Sequence, residues 1–147
     1  MNFTTNMKKM ITIIILLLSV IACNNDRYEF PINDTVQNYI NKQYRGASIR
    51  ETDYSDNGLF EVEIRHDARI KDVYFDKNDN WVYTTWDVKV LTLPDAVKNS
   101  VEQAYPGYRI DDADYVQRPE GDFYKLELDR GELEKTVYAL PDGNIQQ

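Results

Sequence analysis

One cysteine, one histidine and six glycines are spread over 147 residues, and 17 basic residues stand against 25 acidic ones. A lone cysteine cannot close an intramolecular disulfide or supply a Cys-cluster zinc site. A lone histidine, His66, removes most catalytic and metal centres built on imidazole. The formal charge of −8 argues against nucleic acid as a partner, because phosphate recognition needs clustered Lys and Arg. The longest apolar run, Met10 to Ile21, falls short of the roughly 20 residues a membrane-spanning helix needs. What remains is 42% hydrophobic and 12% aromatic, enough for a packed core in a chain of this length.

Lys8 and Lys9 precede the apolar run, which gives the first 22 residues the proportions of a signal peptide. Val20-Ile21-Ala22-Cys23 follows, then the polar Asn24-Asn25-Asp26. This stretch resembles the lipobox of bacterial lipoproteins, with Val20 where Leu is more usual. The resemblance implies that Cys23 becomes the first mature residue and carries the lipid. Residues 1–22 are thus expected to be a lipoprotein signal peptide and 23–29 a tether. Several acyl chains at about 0.8 kcal/mol per buried CH₂ give stable anchoring. Losing the leader removes two lysines and no acids, so the formal charge falls from −8 to −10. Anionic head groups repel such a domain, so membrane contact is expected through the anchor alone. The expected location is the bacterial cell envelope, periplasmic or facing the outer membrane.

The remaining chain reads as one unit written twice. At a constant offset of 61, Val36 meets Val97, Ile40 meets Val101, Tyr44 meets Tyr105, Gly46 meets Gly107 and Ile49 meets Ile110. Further on, Phe60-Glu61-Val62-Glu63-Ile64 answers Tyr124-Lys125-Leu126-Glu127-Leu128 at offset 64, and Val73-Tyr74 answers Val137-Tyr138. The change of offset falls around Asp56-Asn57-Gly58 and Pro119-Glu120-Gly121-Asp122, where a turn can absorb it. The two copies span 30–92 and 93–147 and are expected to form one continuous domain.

Each copy opens with a helical pattern. Val36, Tyr39, Ile40 and Tyr44 share one face, as do Val97, Ser100, Val101, Ala104 and Tyr105. The helices are expected over roughly 34–45 and 94–105, with Asn33 or Asp34 capping the first and Pro94 in the first turn of the second. Gly46 and Gly107 stand where a left-handed C-terminal cap is wanted. Three strands are expected after each helix: 60–64, 69–75 and 81–90 in the first copy, with a stubby last strand in the second. Phe60, Val62 and Ile64 alternate with acids and Arg65, the pattern of a half-buried antiparallel strand. The fold class is α+β: tandem α-β-β-β repeats, helices packed on one face of an antiparallel sheet.

Leu93-Pro94-Asp95-Ala96-Val97 with Tyr105-Pro106-Gly107-Tyr108, and Trp81 through Thr85-Trp86-Asp87-Val88, make the assembly resemble the PepSY-like family of bacterial envelope proteins. That family is structurally akin to the β-lactamase-inhibitor protein. The resemblance covers about Phe30 to Ile145 and implies a BLIP-like module that binds or restrains proteins or peptides, with no catalytic residues to carry over.

Candidate chemistry is thin, and no enzyme, cofactor or metal is expected. His66 lacks a Gly-x-Ser-x-Gly elbow and reads as a solvated turn residue between Arg65 and Asp67. Asp76-Lys77-Asn78-Asp79-Asn80 places oxygens at alternate positions, but Trp81 stands where a calcium loop needs Gly, so a hairpin turn outweighs weak calcium binding. Glu61 with Glu63, and Asp111-Asp112 with Asp114, could serve carboxylate chemistry or simply make an acidic surface. Asp34-Thr35-Val36 resembles a bacterial O-glycosylation sequon, although a helix start explains it as well.

Eleven tyrosines and two tryptophans are the informative excess. If Val73 and Phe75 face the helices, Tyr74 and its counterpart Tyr138 face the open side, joined by Trp81, Tyr83 or Trp86 according to how that strand lies. Such rings either anchor an interface or cap a thin core. The leading expectation is a lipid-anchored, non-catalytic binding module for an envelope protein or peptide, with basic partners favoured by the acidic surface. The alternatives are an inhibitor of a secreted or periplasmic hydrolase, a carboxylate enzyme, and a structural envelope protein.

Overall fold

Among the described residues the chain forms two ten-residue helices and a nine-stranded sheet. The computed structural model describes residues 27, 28 and 30–146. The leader 1–22 and the lipidation site Cys23 lie outside the described residues. A short strand β1 (Arg27–Tyr28) precedes α1 (Asp34–Gln43), β2 (Ser48–Tyr54), β3 (Phe60–His66), β4 (Arg69–Phe75) and β5 (Trp81–Asp87). A 3₁₀ turn at Val90–Thr92 leads to α2 (Asp95–Ala104), β6 (Arg109–Gln117), β7 (Phe123–Arg130), β8 (Leu133–Ala139) and β9 (Ile145–Gln146). The strands lie in the sheet in chain order; β2 to β9 pair antiparallel, and β1 adds a parallel edge to β2.

The helix ends are set locally. Asn33 Oδ1 accepts the backbone N–H of Val36 at 3.0 Å and caps α1. Pro94 is the residue before α2 and offers no side-chain cap, one position earlier than its sequence suggested. Both helices stop at a tyrosine whose N–H closes the last turn, Tyr44 onto Ile40 and Tyr105 onto Val101, each at 2.8 Å. Gly46 at φ 83° and Gly107 at φ 82° then reverse the chain in the left-handed region that glycine tolerates.

Four strands follow each helix where three were expected: β2 and β6 escape the alternation test. Each contains a bulge, between Ile49 and Glu51 in β2 and between Ile110 and Asp112 in β6. The extra residue (Arg50 or Asp111) spaces the inward positions Ile49 and Thr52, or Ile110 and Ala113, by three instead of two. A period-two search therefore fails on both.

Apolar burial falls into two clusters. The first joins Val36, Ile40 and Tyr44 of α1 to Phe60, Val62, Ile64, Val73 and Phe75. The second joins Val97 and Val101 of α2, with Leu93, to Ala113, Leu126, Leu128, Val137 and Ala139. Register links one row across the sheet: Val62 faces Val73, Val73 faces Thr84, and Thr84 faces Gln117. From the same strand β6, Ala113 faces Leu126 and Leu126 faces Val137. Thr84 is the one polar member fully enclosed in the centre, and its Oγ1 is satisfied by the Tyr44 hydroxyl at 2.7 Å and by Trp81 Nε1–H at 2.9 Å.

Candidate functional site

Side chains of alternate parity from those buried rows form the opposite face of the sheet. It carries Glu61 and Glu63 from β3, Asp72 and Tyr74 from β4, Tyr83 from β5, Asp114 and Val116 from β6, Lys125 from β7 and Tyr138 from β8. A depression of about 900 Å³ runs over its middle, floored by Tyr74, Tyr83, Val116 and Phe123 with Asp72 and Asp114 among them. The expected partner-binding residues divide here. Tyr74 and Tyr83 sit directly opposite each other and stack with ring centroids 4.3 Å apart at 26°. Tyr138, 43% exposed, stands at the far margin with its ring edge-on to Phe123 at 5.7 Å. Arg118 covers Phe123 at 4.6 Å.

Trp81 and Trp86 go to the other side. A register shift between Tyr74 and Phe75 places Trp81 opposite Phe75 and leaves Val82 as the extra residue. Trp81 therefore stacks on Tyr39 of α1 at 5.8 Å, though its rim also borders the depression. Trp86 pairs with Tyr115 on the helix side, their rings 4.8 Å apart.

The electrostatics of the open face come from crowded acids. Glu51 faces Glu63, Glu63 faces Asp72, and Asp87 faces Asp114 across neighbouring strands. Like charges directly opposite repel. Burial, with Glu61, Glu63, Asp87 and Asp114 around it, pushes the Asp72 carboxyl up to about 7. Burial also raises Glu61, opposed by the hydrogen bond that the Tyr74 hydroxyl donates to it. The same hydroxyl is held well above the ordinary tyrosine range by burial and then by the Glu61 charge. Lys125 is the cation set among them, 3.5 Å from Asp114 and from Glu127. Burial alone would lower its pKa; the two acids reverse that, and the net shift is upward.

The other candidates resolve individually. Asp76 Oδ1 accepts from the backbone of Asn78 and Asn80, and both its oxygens take the Asn80 amide, so the carboxylate closes its own turn. Hydrogen bonding from Asn80 keeps its pKa below the ordinary value. No group of three or more His, Cys, Asp or Glu able to hold a metal ion occurs among the described residues. His66 is no solvated turn residue. It ends β3, its side chain is only 16% exposed, and it lies edge-on to Tyr44 at 5.6 Å. The turn itself belongs to Asp67 and Ala68, both at positive φ, as a tight two-residue hairpin requires. Asp111 is the bulge residue of β6 and pairs with Arg109 at 2.9 Å, apart from Asp114. Thr35 lies in the exposed first turn of α1.

A family model described as "Putative beta-lactamase-inhibitor-like, PepSY-like" matches residues 58–147. The chain belongs to this PepSY-like family. Solved structures agree on the fold. A BLIP-like protein from Bacteroides fragilis is 22% identical, with a TM-score of 0.69 over 80% of this chain and 85% of that one. A DUF2874 family protein from Bacteroides uniformis is 22% identical, with a TM-score of 0.67 over 80% and 88%. A structure from Bacteroides eggerthii, described as "putative periplasmic proteins", is 18% identical, with a TM-score of 0.63 over 80% and 88%. No curated protein matches the chain. No helix among the described residues is long and apolar enough to cross a membrane.

For the PepSY-like chain, reasoning from sequence missed Asp72. Its alternation with Lys71 and Val73 was visible, but the crowding that shifts it comes from three other strands.

Proposed function

We propose that this PepSY-like chain is a non-catalytic binding module, tethered in the bacterial envelope through a lipid on Cys23, that captures a protein or peptide on its open sheet face. In this reading the chain is a tandem repeat, 30–92 and 93–147. Both helices cover the same side of one continuous sheet and leave the other side free. Equivalent positions filling equivalent places support it: Val62 and Leu126, Ile64 and Leu128, Val73 and Val137 each lie in the core of their own half.

The observation that carries the reading is the Tyr74–Tyr83 stack in the floor of the depression, on the face that neither apolar cluster uses. Two half-buried rings there add apolar contact area at low rotamer cost, as interface anchors do. The surrounding acids favour a partner with basic groups and speed its encounter. The test is capture from the organism's own envelope by the immobilised protein, beside Tyr74→Ala/Tyr138→Ala. Loss of specific partners by a variant that still folds cooperatively supports the reading. Loss of folding would place the rings in the core instead.

A second reading, inhibition of a secreted or periplasmic hydrolase, is favoured by the likeness to a BLIP-like structure, which is a likeness of fold. Assay of the purified protein against periplasmic proteases and β-lactamases at micromolar concentration tests it; no inhibition of any of them removes it.

A further inference from the structure

The helix side of the sheet holds a second cavity, of about 520 Å³, between the C-terminal end of α1 and the middle strands. It is lined by Tyr39, Tyr44, His66, Lys71, Trp81 and Trp86, with Gln43 and Gln117 at its edge. Lys71 faces Ile64 across the strands, so it is on the side of the core. Its Nζ lies 4.2 Å from the centre of the Trp86 ring and 5.3 Å from that of Tyr44. No carboxylate comes within 4 Å of that ammonium among the described residues, in a chain with eight more acids than bases. Burial, with Arg69, lowers its pKa against the opposing charge of Asp67, a cost that a bound anion would further offset.

Two further polar atoms of this cavity are enclosed without a hydrogen-bond partner: Trp86 Nε1 and His66 Nδ1. Asp67 Oδ2 is 3.3 Å from His66 Nδ1 but makes no hydrogen bond to it, and Asp67 is otherwise exposed. An indole N–H can only donate, so Trp86 asks for an acceptor. The lining therefore holds an unpaired ammonium, an unpaired N–H and aromatic walls, and no acid. That complements a compact anion with a flat apolar body. One ammonium matches one negative charge. The C-terminal end of α1, the negative end of its dipole, disfavours any anion and a doubly charged phosphate more than a single carboxylate.

We infer that the cavity binds a small aromatic or aliphatic monocarboxylate, its carboxylate accepting from Lys71 Nζ and its apolar body lying against Trp81 and Trp86. The site is on the opposite side of the sheet from the depression and does not depend on the reading proposed for it. Trp86 Nε1–H is the second donor available once Lys71 turns from the ring to the anion. The cavity volume lies within the range of small-molecule sites, about 300–1,000 Å³, and is too small for a folded partner.

The chain has only two tryptophans, and both line this cavity. Trp86 lines this cavity and not the depression, so its indole ¹⁵N–¹H signal reports on the cavity, whereas Trp81 borders both. The full chain in detergent micelles is titrated to millimolar concentration with benzoate, and separately with benzamide, its neutral isostere. Saturable movement of the Trp86 signal by benzoate, with benzamide about tenfold weaker, is the expected result, on the scale of one charge-assisted hydrogen bond. Movement of Trp81 alone would place the probe in the depression and overturn the inference. Lys71→Met should bring the two probes to equal strength. Equal binding of acid and amide to the unmodified chain overturns the inference, and so does no saturable movement with benzoate. Those two outcomes need no variant, so a poorly folding Lys71→Met leaves the inference open to refutation. A preference for benzoate that survives in folded Lys71→Met also overturns it.

Discussion

Two helix-and-strand stretches, α1 with β2 to β5 and α2 with β6 to β9, meet the same packing problem with different material. In the first, the fourth strand after the helix is the seven-residue β5; in the second it is the two-residue β9. The first cluster is closed by Phe75, opposite Phe60 in β3, where in the second cluster Ala139 stands opposite Tyr124 in β7. The second compensates with proximity. A Cβ on Gly143 would come within 2.6 Å of the Ala96 carbonyl, so the last turn presses directly on α2. In the turn between β4 and β5, Asp79 also takes a left-handed conformation, at φ 63°. The long β5 has a further consequence. It joins the two halves of the sheet by pairing with β6, and its residues serve both the open depression and the tryptophan-lined cavity. Lys135 over Tyr105 at 5.7 Å repeats the contact of Lys71 with Tyr44, but the second segment has no tryptophan to complete such a cavity.

The contrast can be broken most sharply in the cores. Phe75→Ala should cost about 3–5 kcal/mol, against about 2–5 kcal/mol for Leu126→Ala, both read by chemical denaturation. Both should shift one shared transition, because β5 and β6 tie the sheet together. Two separate transitions would mean that the segments fold independently.

Next in size is the pair of turns. Gly143→Ala should destabilise by about 1–3 kcal/mol, through positive φ at 92° and the collision with Ala96. Asp79→Gly should stay within about 0.5 kcal/mol, since that turn is exposed and already tolerates its conformation. Equal costs at the two sites would show that the close approach to α2 is not what constrains Gly143.

A smaller effect belongs to Asp72. Its folded value of about 7 lies above the ordinary 3.8, so the folded chain binds that proton more tightly than the unfolded one. Its contribution to stability is therefore greatest below about pH 4 and falls as the pH rises to about 7. Asp72→Asn should remove this slope and raise the melting temperature at neutral pH by roughly 2–4 °C. A lower melting temperature for the variant at pH 8 would contradict the crowding of acids on this face. A small effect is also expected at Tyr138, where alanine should change stability by no more than about 0.5–1 kcal/mol, read as a melting shift.

The sequence made some of this legible and hid the rest for identifiable reasons. The alternation of Phe60, Val62 and Ile64, the helix faces through Val36 and Val97, and the left-handed Gly46 and Gly107 are local signals, and the structure has them where expected. Strands β2 and β6 were hidden because a single bulge residue in each breaks the period. The same effect sent Trp81 to the helix side, since the slip at Val82 inverts the parity of what precedes it. Asp72 and His66 depend on neighbours from distant strands and from α1, which a linear pattern cannot register. The PepSY-like resemblance was legible because it rests on turn and helix-start residues such as Leu93-Pro94 and Tyr105-Pro106-Gly107.

The central claim is that one side of the sheet is reserved for a partner. Its most direct measurement is quantitative retention of envelope proteins by immobilised wild type, by Tyr74→Ala/Tyr138→Ala, and by Leu91→Ser, which alters an apolar residue 90% exposed on the loop before α2. The account predicts a set of proteins held equally by wild type and Leu91→Ser and lost from the double variant, with all three still folding cooperatively and the double variant melting somewhat lower for want of the Tyr74–Tyr83 stack. Retention that is indifferent to the two tyrosines, in variants that remain folded, would contradict it.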